Sequence, residues 1–147
     1  MKNLNDYAGS AHTSKFLHPA TRDKHVKCAL KVLEPIKKTF NAIAFCGMSG
    51  ALIAPMIAKE LGKELILVRK TGDKNHSCYK VEGYLNAEKY IIVDDFIDTG
   101  ATVRHIKKSI KKSSYNNAVC VGFLAVQELK GTESWRKTTK LFNVDNY

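Results

Sequence analysis

The stretch YIIVDDFIDTGATV, Tyr90 to Val103, narrows the possible folds of this chain more than any other. Tyr, Ile, Ile and Val run without alternation into two adjacent carboxylates, and a loop of Asp, Thr, Gly, Ala and Thr follows within two residues. An unbroken apolar run of this length is the pattern of a strand buried on both faces, as in a parallel sheet covered by helices. Such a strand turns polar where it reaches solvent, and ligands of open α/β sheets sit at those carboxyl ends.

The remaining chain alternates helical and strand-like periods with short breaks, which predicts βαβ units and a Rossmann-like parallel sheet flanked by helices. About Ala20 to Phe40 has the helical spacing of Val26, Leu30 and Leu33, with Pro35 expected to kink or break it. Ala42 to Phe45 reads as the first strand, CGMSG as a glycine turn, and Ala51 to Gly62 as an amphipathic helix capped by Gly62. ELILVRK is the second strand, ending in Arg69 and Lys70. Tyr79 to Leu85 suits a strand pair or the return of a flap, Tyr90 to Asp95 is the third core strand, Thr99 to Ser113 its helix, and Asn117 to Val126 the fourth strand. Beyond Gln127 the polar sequence carries no assignable period.

A chain of 147 residues with 44% hydrophobic content suffices for one domain with its own core, residues 1–147, and not for two. No apolar run approaches the roughly 20 residues that span a bilayer, so the expectation is a soluble cytoplasmic protein without membrane contact. Cys28, Cys46, Cys78 and Cys120 lack metal-ligand or CxxC spacing and read as reduced structural thiols. The net charge of +10 favours an anionic partner: a nucleotide, a phosphorylated metabolite or nucleic acid.

Chemistry narrows that choice. A loop leading from a parallel strand into a helix presents unpaired backbone N–H groups and the positive end of the helix dipole, which together seat a phosphate. Gly100 permits close backbone approach, and Thr99 and Thr102 add hydroxyls. Asp94 and Asp95 can accept from vicinal hydroxyls or hold a hydrated Mg²⁺. Hydroxyls beside a phosphate describe a ribose 5-phosphate.

VDDFIDTGAT, Val93 to Thr102, closely resembles the phosphoribosyl pyrophosphate (PRPP) motif of type I phosphoribosyltransferases, and the order of elements agrees over about residues 20–126. The resemblance implies that Asp94 and Asp95 hold the ribose hydroxyls and Mg²⁺, and that Asp98, Thr99, Gly100, Ala101 and Thr102 bind the 5-phosphate. Phe96 stands where the family has a small aliphatic residue. CGMSG is similar to the family's pyrophosphate loop, often built on a non-proline cis peptide, with Met48, Ser49 and Gly50 in it. Arg69 and Lys70 resemble the strand end that meets the diphosphate. RKTGDKNH looks like a mobile catalytic loop in which Lys74 and His76 close over the leaving group, with Thr71 to Tyr79 as a flap.

The implied activity is transfer of the 5-phosphoribosyl group of PRPP to a nitrogenous base with release of pyrophosphate, as in nucleotide salvage, by a homodimer. Asp98 matches a residue that faces the purine in 6-oxopurine enzymes, where it exchanges a ring proton, whereas adenine and orotate enzymes usually have a neutral residue there. Phe96, Gln127 and Trp135 are the expected base contacts, Trp135 from a short C-terminal hood over residues 127–147. A purine is favoured, preferably a 6-oxopurine, although Gln127 replaces the lysine that reads the 6-oxo group. The alternative is a PRPP-sensing regulator that binds nucleic acid through KKSIKK, Lys107 to Lys112.

Overall fold

The computed structural model describes residues 8, 11–73, 77–95, 97–126, 140–143 and 145. A mixed six-stranded sheet is flanked by helices on both faces. Its parallel centre is β1 (Ala42–Cys46), β2 (Glu64–Val68), β4 (Lys89–Asp94) and β5 (Val119–Ala125). The edges are antiparallel: β3 (Val81–Gly83) pairs with β2, and β6 (Lys140–Phe142) with β5, in the order β3-β2-β1-β4-β5-β6. The parallel centre agrees with the sequence reading, and the two antiparallel edges extend it.

Alternation along the strands explains why both faces are covered. Ile43, Phe45, Ile91, Val93 and Leu124 project to one side, against α1 (Ala11–Leu17), α2 (Pro19–Leu33) and α3 (Gly47–Leu61). Ala44, Cys46, Tyr90, Ile92 and Phe123 project to the other, against α4 (Ala101–Lys111) through Val103, Ile106 and Ile110. Ile53, Ile57 and Ile106 are wholly buried, and each such side chain contributes about 1.5–3 kcal/mol relative to an exposed one. The first long helix stops at Leu33, and a 3-10 helix, Glu34–Thr39, carries the chain past Pro35 into β1.

Two differences from the sequence reading matter for the site. The glycine turn after β1 shrinks to Gly47, whose φ of +75° reverses the chain, so Met48, Ser49 and Gly50 already lie in the first turn of α3. There is no cis peptide among the described residues, so that family feature is absent from the turn. Helix α4 opens two residues later than expected, at Ala101, because Gly100 at φ +76° takes the left-handed position before it.

Crossover handedness fixes where a ligand can enter. The connections β1-α3-β2 and β4-α4-β5 step away from the adjacent β1 and β4 in opposite directions, and their helices cover opposite faces. The loops after β1 and β4 therefore diverge and leave a crevice between the carboxyl ends of these strands.

Candidate active site

A cavity of about 410 Å³ occupies this crevice. It is lined by Met48 and Ser49 from the start of α3, Lys70 from the end of β2, Asp94 and Asp95 from the end of β4, and the run Asp98 to Thr102 leading into α4. Ten of the residues singled out in the sequence thus meet at one place.

The carboxylate pair is the most unusual part. Asp94 and Asp95 are each only 6% exposed and are the buried charged residues of the described core. The Ser49 hydroxyl donates to Asp94 Oδ1 at 3.2 Å, joining the start of α3 to the end of β4, and the Asp95 amide donates to the same oxygen at 2.9 Å. Burial, reinforced by the neighbouring Asp95 charge, pushes the Asp94 carboxyl up to about 7. Two crowded carboxylates of this kind gain from a cation or a hydroxyl donor arriving in the cavity.

At the other end of the cavity the main chain supplies the donors. The Thr99 hydroxyl accepts from the Ala101 amide at 3.3 Å, and the Arg104 amide donates to the Gly100 carbonyl at 3.0 Å as the opening bond of α4. The amides of Thr102 and Val103 belong to the first turn and have no intrahelical acceptor. They face an anion site by their position at the dipole's positive end. Asp98 is exposed and does not cap α4, whose capping position belongs to Gly100. A carboxylate free of the capping role is available to the ligand.

Lys70 and Arg69 separate. An added Cβ on Gly47 would lie 2.6 Å from Lys70 Cε and 3.1 Å from Nζ, so the ammonium rests on the glycine turn at the mouth of the crevice. Arg69 does not line this cavity: its Nε and Nη2 donate to Glu82 Oε1 at 2.9 and 2.7 Å across the β2-β3 edge. The expected diphosphate contact from Arg69 is thereby redirected into a structural ion pair. Gly50 also stays out of the cavity. A Cβ there would meet Phe45 Cβ at 3.0 Å and the Val93 carbonyl at 3.4 Å, so its smallness lets α3 lie close on the sheet. Lys74, His76, Phe96, Gln127 and Trp135 lie outside the described residues.

Several lining residues escaped the sequence reading. Cys46, Ile97, Val103 and Phe123 form the apolar floor, and Thr13 reaches the cavity from α1. Cys46 had a signal in its place at the end of β1, and burial holds its thiol at about 11, inert at neutral pH. Thr13 had none, since the N-terminal arm shows no period that would tie it to the crevice.

The residues suit Mg²⁺ shared with a substrate. No group of three or more His, Cys, Asp or Glu side chains among the described residues forms a cage. Two adjacent carboxylates facing a cavity are the donor set that Mg²⁺ uses when substrate oxygens and waters complete its octahedron.

No family model matches the chain. An adenine phosphoribosyltransferase of Bifidobacterium longum is 32% identical over 133 residues, 78% of this chain and 67% of that enzyme. Among solved structures, the adenine phosphoribosyltransferase of Saccharomyces cerevisiae, complexed with an imino-altritol bisphosphate and adenine, matches with a TM-score of 0.58 at 24% identity over 75% of this chain and 69% of that one. Orotate phosphoribosyltransferase from Aeropyrum pernix matches with a TM-score of 0.57 at 19% identity, covering 78% and 62%. The structural likenesses establish the fold. With 32% identity extending over 67% of a whole relative, and with an acidic pair and the start of a helix lining one cavity at the switch point, the chain belongs to the type I phosphoribosyltransferase family.

Proposed function

We propose that the protein transfers the 5-phosphoribosyl group of PRPP to adenine, forming AMP and releasing pyrophosphate. The observation that carries this reading is the meeting, in one cavity, of the Asp94–Asp95 pair with the Asp98–Thr102 run at the start of α4. The choice of adenine rests on the relatives named above, and it replaces the 6-oxopurine preference of the sequence reading.

The roles follow from where charge develops. The amides at the start of α4, with the Thr99 and Thr102 hydroxyls, hold the 5-phosphate, and Asp94 and Asp95 accept from the ribose hydroxyls. As the bond from C1 to the diphosphate breaks, positive charge grows on the ribose and negative charge on the leaving group. The buried carboxylates below the ring stabilise the first, and Lys70 with the amides of Met48 and Ser49 stabilises the second. Mg²⁺ held at Asp94 and Asp95 would neutralise much of the diphosphate charge when bound. Lys74 and His76, carried by the segment after β2, would add donors to the departing group. Adenine attacks through the N9 lone pair, so the proton it sheds resides on N7, and the exposed Asp98 carboxylate is the acceptor for it.

The test is to incubate the protein with Mg²⁺, PRPP and adenine, hypoxanthine, guanine or orotate in turn, measuring pyrophosphate and nucleotide. AMP from adenine is expected. Product from orotate or a 6-oxopurine alone would overturn the assignment of the base, and no product from any base would overturn the activity.

A further inference from the structure

The backbone that delivers Lys70 to the cavity leaves the sheet in an unusual way. Strands β2 and β3 stay in register up to Val68 and Val81, so that Arg69 and Lys80 face each other one step further on. The Arg69 amide donates to the Lys80 carbonyl at 3.0 Å, the bond of a hydrogen-bonded antiparallel pair. Such a pair exchanges two bonds. Among the described residues the return bond, from the Lys80 amide to the Arg69 carbonyl, is not made. The carbonyl is turned out of the ladder toward α4, where Nε2 of the half-buried His105 lies 2.9 Å from it. A carbonyl only accepts, so Nε2 carries the hydrogen and the imidazole is the donor. We propose that His105 is a positioning residue: by holding the Arg69–Lys70 peptide, it sets where the Lys70 ammonium stands relative to the start of α4. The inference rests on the reaction proposed above and on the role given there to Lys70.

The other polar atom of that peptide, the Lys70 amide, donates to Asp73 Oδ2 at 3.2 Å. Both ends of the peptide are therefore held by side chains instead of by a strand. This matters because lysine carries its charge on a flexible stem of four carbons. The direction of the stem follows from the peptide it leaves and from the Gly47 turn on which Cε rests. A short ring with two torsions keeps a set distance from the helix, which the long lysines elsewhere on α4 do not.

His105 also stands in the right place on the helix. It lies four residues after Ala101 and three after Thr102, on the same side of α4 as these two cavity-lining residues. One rigid helix thus bears the seat of the 5-phosphate in its first turn and grips the segment of the diphosphate cation one turn later. PRPP carries these two anions at opposite ends of one ribose. The spacing held through His105 decides whether both are met at once.

The test compares His105→Leu, which removes the donor, with His105→Gln, which keeps an N–H at the ε position, and crosses each with Lys70→Met. Calorimetry reads ribose 5-phosphate and pyrophosphate, each with Mg²⁺, and steady-state kinetics read turnover with adenine. His105→Leu should weaken pyrophosphate by about 3–10-fold, the range of one lost hydrogen bond, and leave ribose 5-phosphate within about twofold. It should lower kcat by a similar factor and change KM for PRPP less, because the charge that Lys70 meets develops as the bond breaks. His105→Gln should restore most of both, and in the Lys70→Met background His105→Leu should have no further effect. Equal weakening of the two ligands, additive losses in the double variant, or a Gln variant no better than Leu would overturn the proposal. Nitrogen NMR of the ligand-free parent gives a reading that needs no variant to fold: Nε2 of His105 should bear the proton at about pH 8, and a ring protonated on Nδ1 instead would overturn the geometry. A parent that turns over no base and binds neither ligand would overturn the reaction and this role with it, whereas an active parent with additive variants would overturn the role alone.

Discussion

Asp94→Asn should make the protein more stable in neutral and alkaline buffer while disabling it. Burial and the Asp95 charge hold the Asp94 carboxyl at about 7 in the folded protein. In the unfolded chain it titrates near its ordinary value, about 3.9. Between these values the folded state keeps a proton that the unfolded state releases, so stability falls as pH rises through the window and the full loss is present above about pH 7. A separation of about three pH units corresponds to a ceiling of about 4 kcal/mol.

Asparagine removes the charge and keeps Oδ1, the acceptor for the Ser49 hydroxyl and the Asp95 amide. Its new amide group borders the cavity, where water can satisfy it. The expected gain at pH 8 is about 2–4 kcal/mol, which for a chain of this size raises Tm by roughly 5–15 °C. Urea unfolding followed by circular dichroism at pH 4.5, 6 and 8 measures it. The two proteins should converge at pH 4.5 and diverge steadily above. A pH-independent difference, or a variant less stable than its parent at pH 8, would refute the reasoning.

Asp95→Asn and Thr99→Ala should each lower PRPP affinity in the presence of Mg²⁺, and calorimetry that finds both unchanged would remove the ribose and phosphate assignments. Asp98→Asn should reduce turnover by roughly 10²–10⁴-fold, the effect of a lost acid-base group, with PRPP binding nearly intact. Alanine at Lys74 or His76 should lower the turnover of saturated enzyme more than PRPP affinity, since the charge they meet develops on the departing diphosphate. Gly47→Ala forces a side chain onto a backbone at φ +75° and against Lys70, so it should cost about 1–2 kcal/mol in urea unfolding and weaken pyrophosphate binding.

The parts of the site legible in the sequence were those in which one short segment carries both the structural and the chemical signal. Asp94 to Thr102 holds the strand end, the turn glycine and the start of a helix in a single run, so its geometry is largely local. Arg69 shows the opposite case. A cation at a strand end reads as a ligand, yet the strand that places Glu82 beside it, Val81–Gly83, is legible only as a strand pair or flap return, and its antiparallel pairing with β2 is not. Strand β6 lies in the unassigned stretch beyond Gln127, since Leu141 and Phe142 gain their meaning only by pairing with β5. The start of α3 was misjudged by four residues because Gly47 alone makes the turn, which leaves Met48 to Gly50 free to be helical.

The ion pair between Arg69 and Glu82 has an entropic side. The Arg69 amide donates to the Lys80 carbonyl at 3.0 Å, and the two side chains clamp the same level of the hairpin. The two ends of the connection between β2 and β3 are therefore held together at Arg69 and Lys80. The cost of closing a loop grows only with the logarithm of its length, and here the stem has met that cost before any ligand arrives. On the proposed reading, in which this connection meets the departing diphosphate, only what lies between the two ends is left to be ordered on binding. Cutting the clamp with Glu82→Gln would return that ordering to the binding step, where it would be felt as weaker affinity at a site the side chain does not reach.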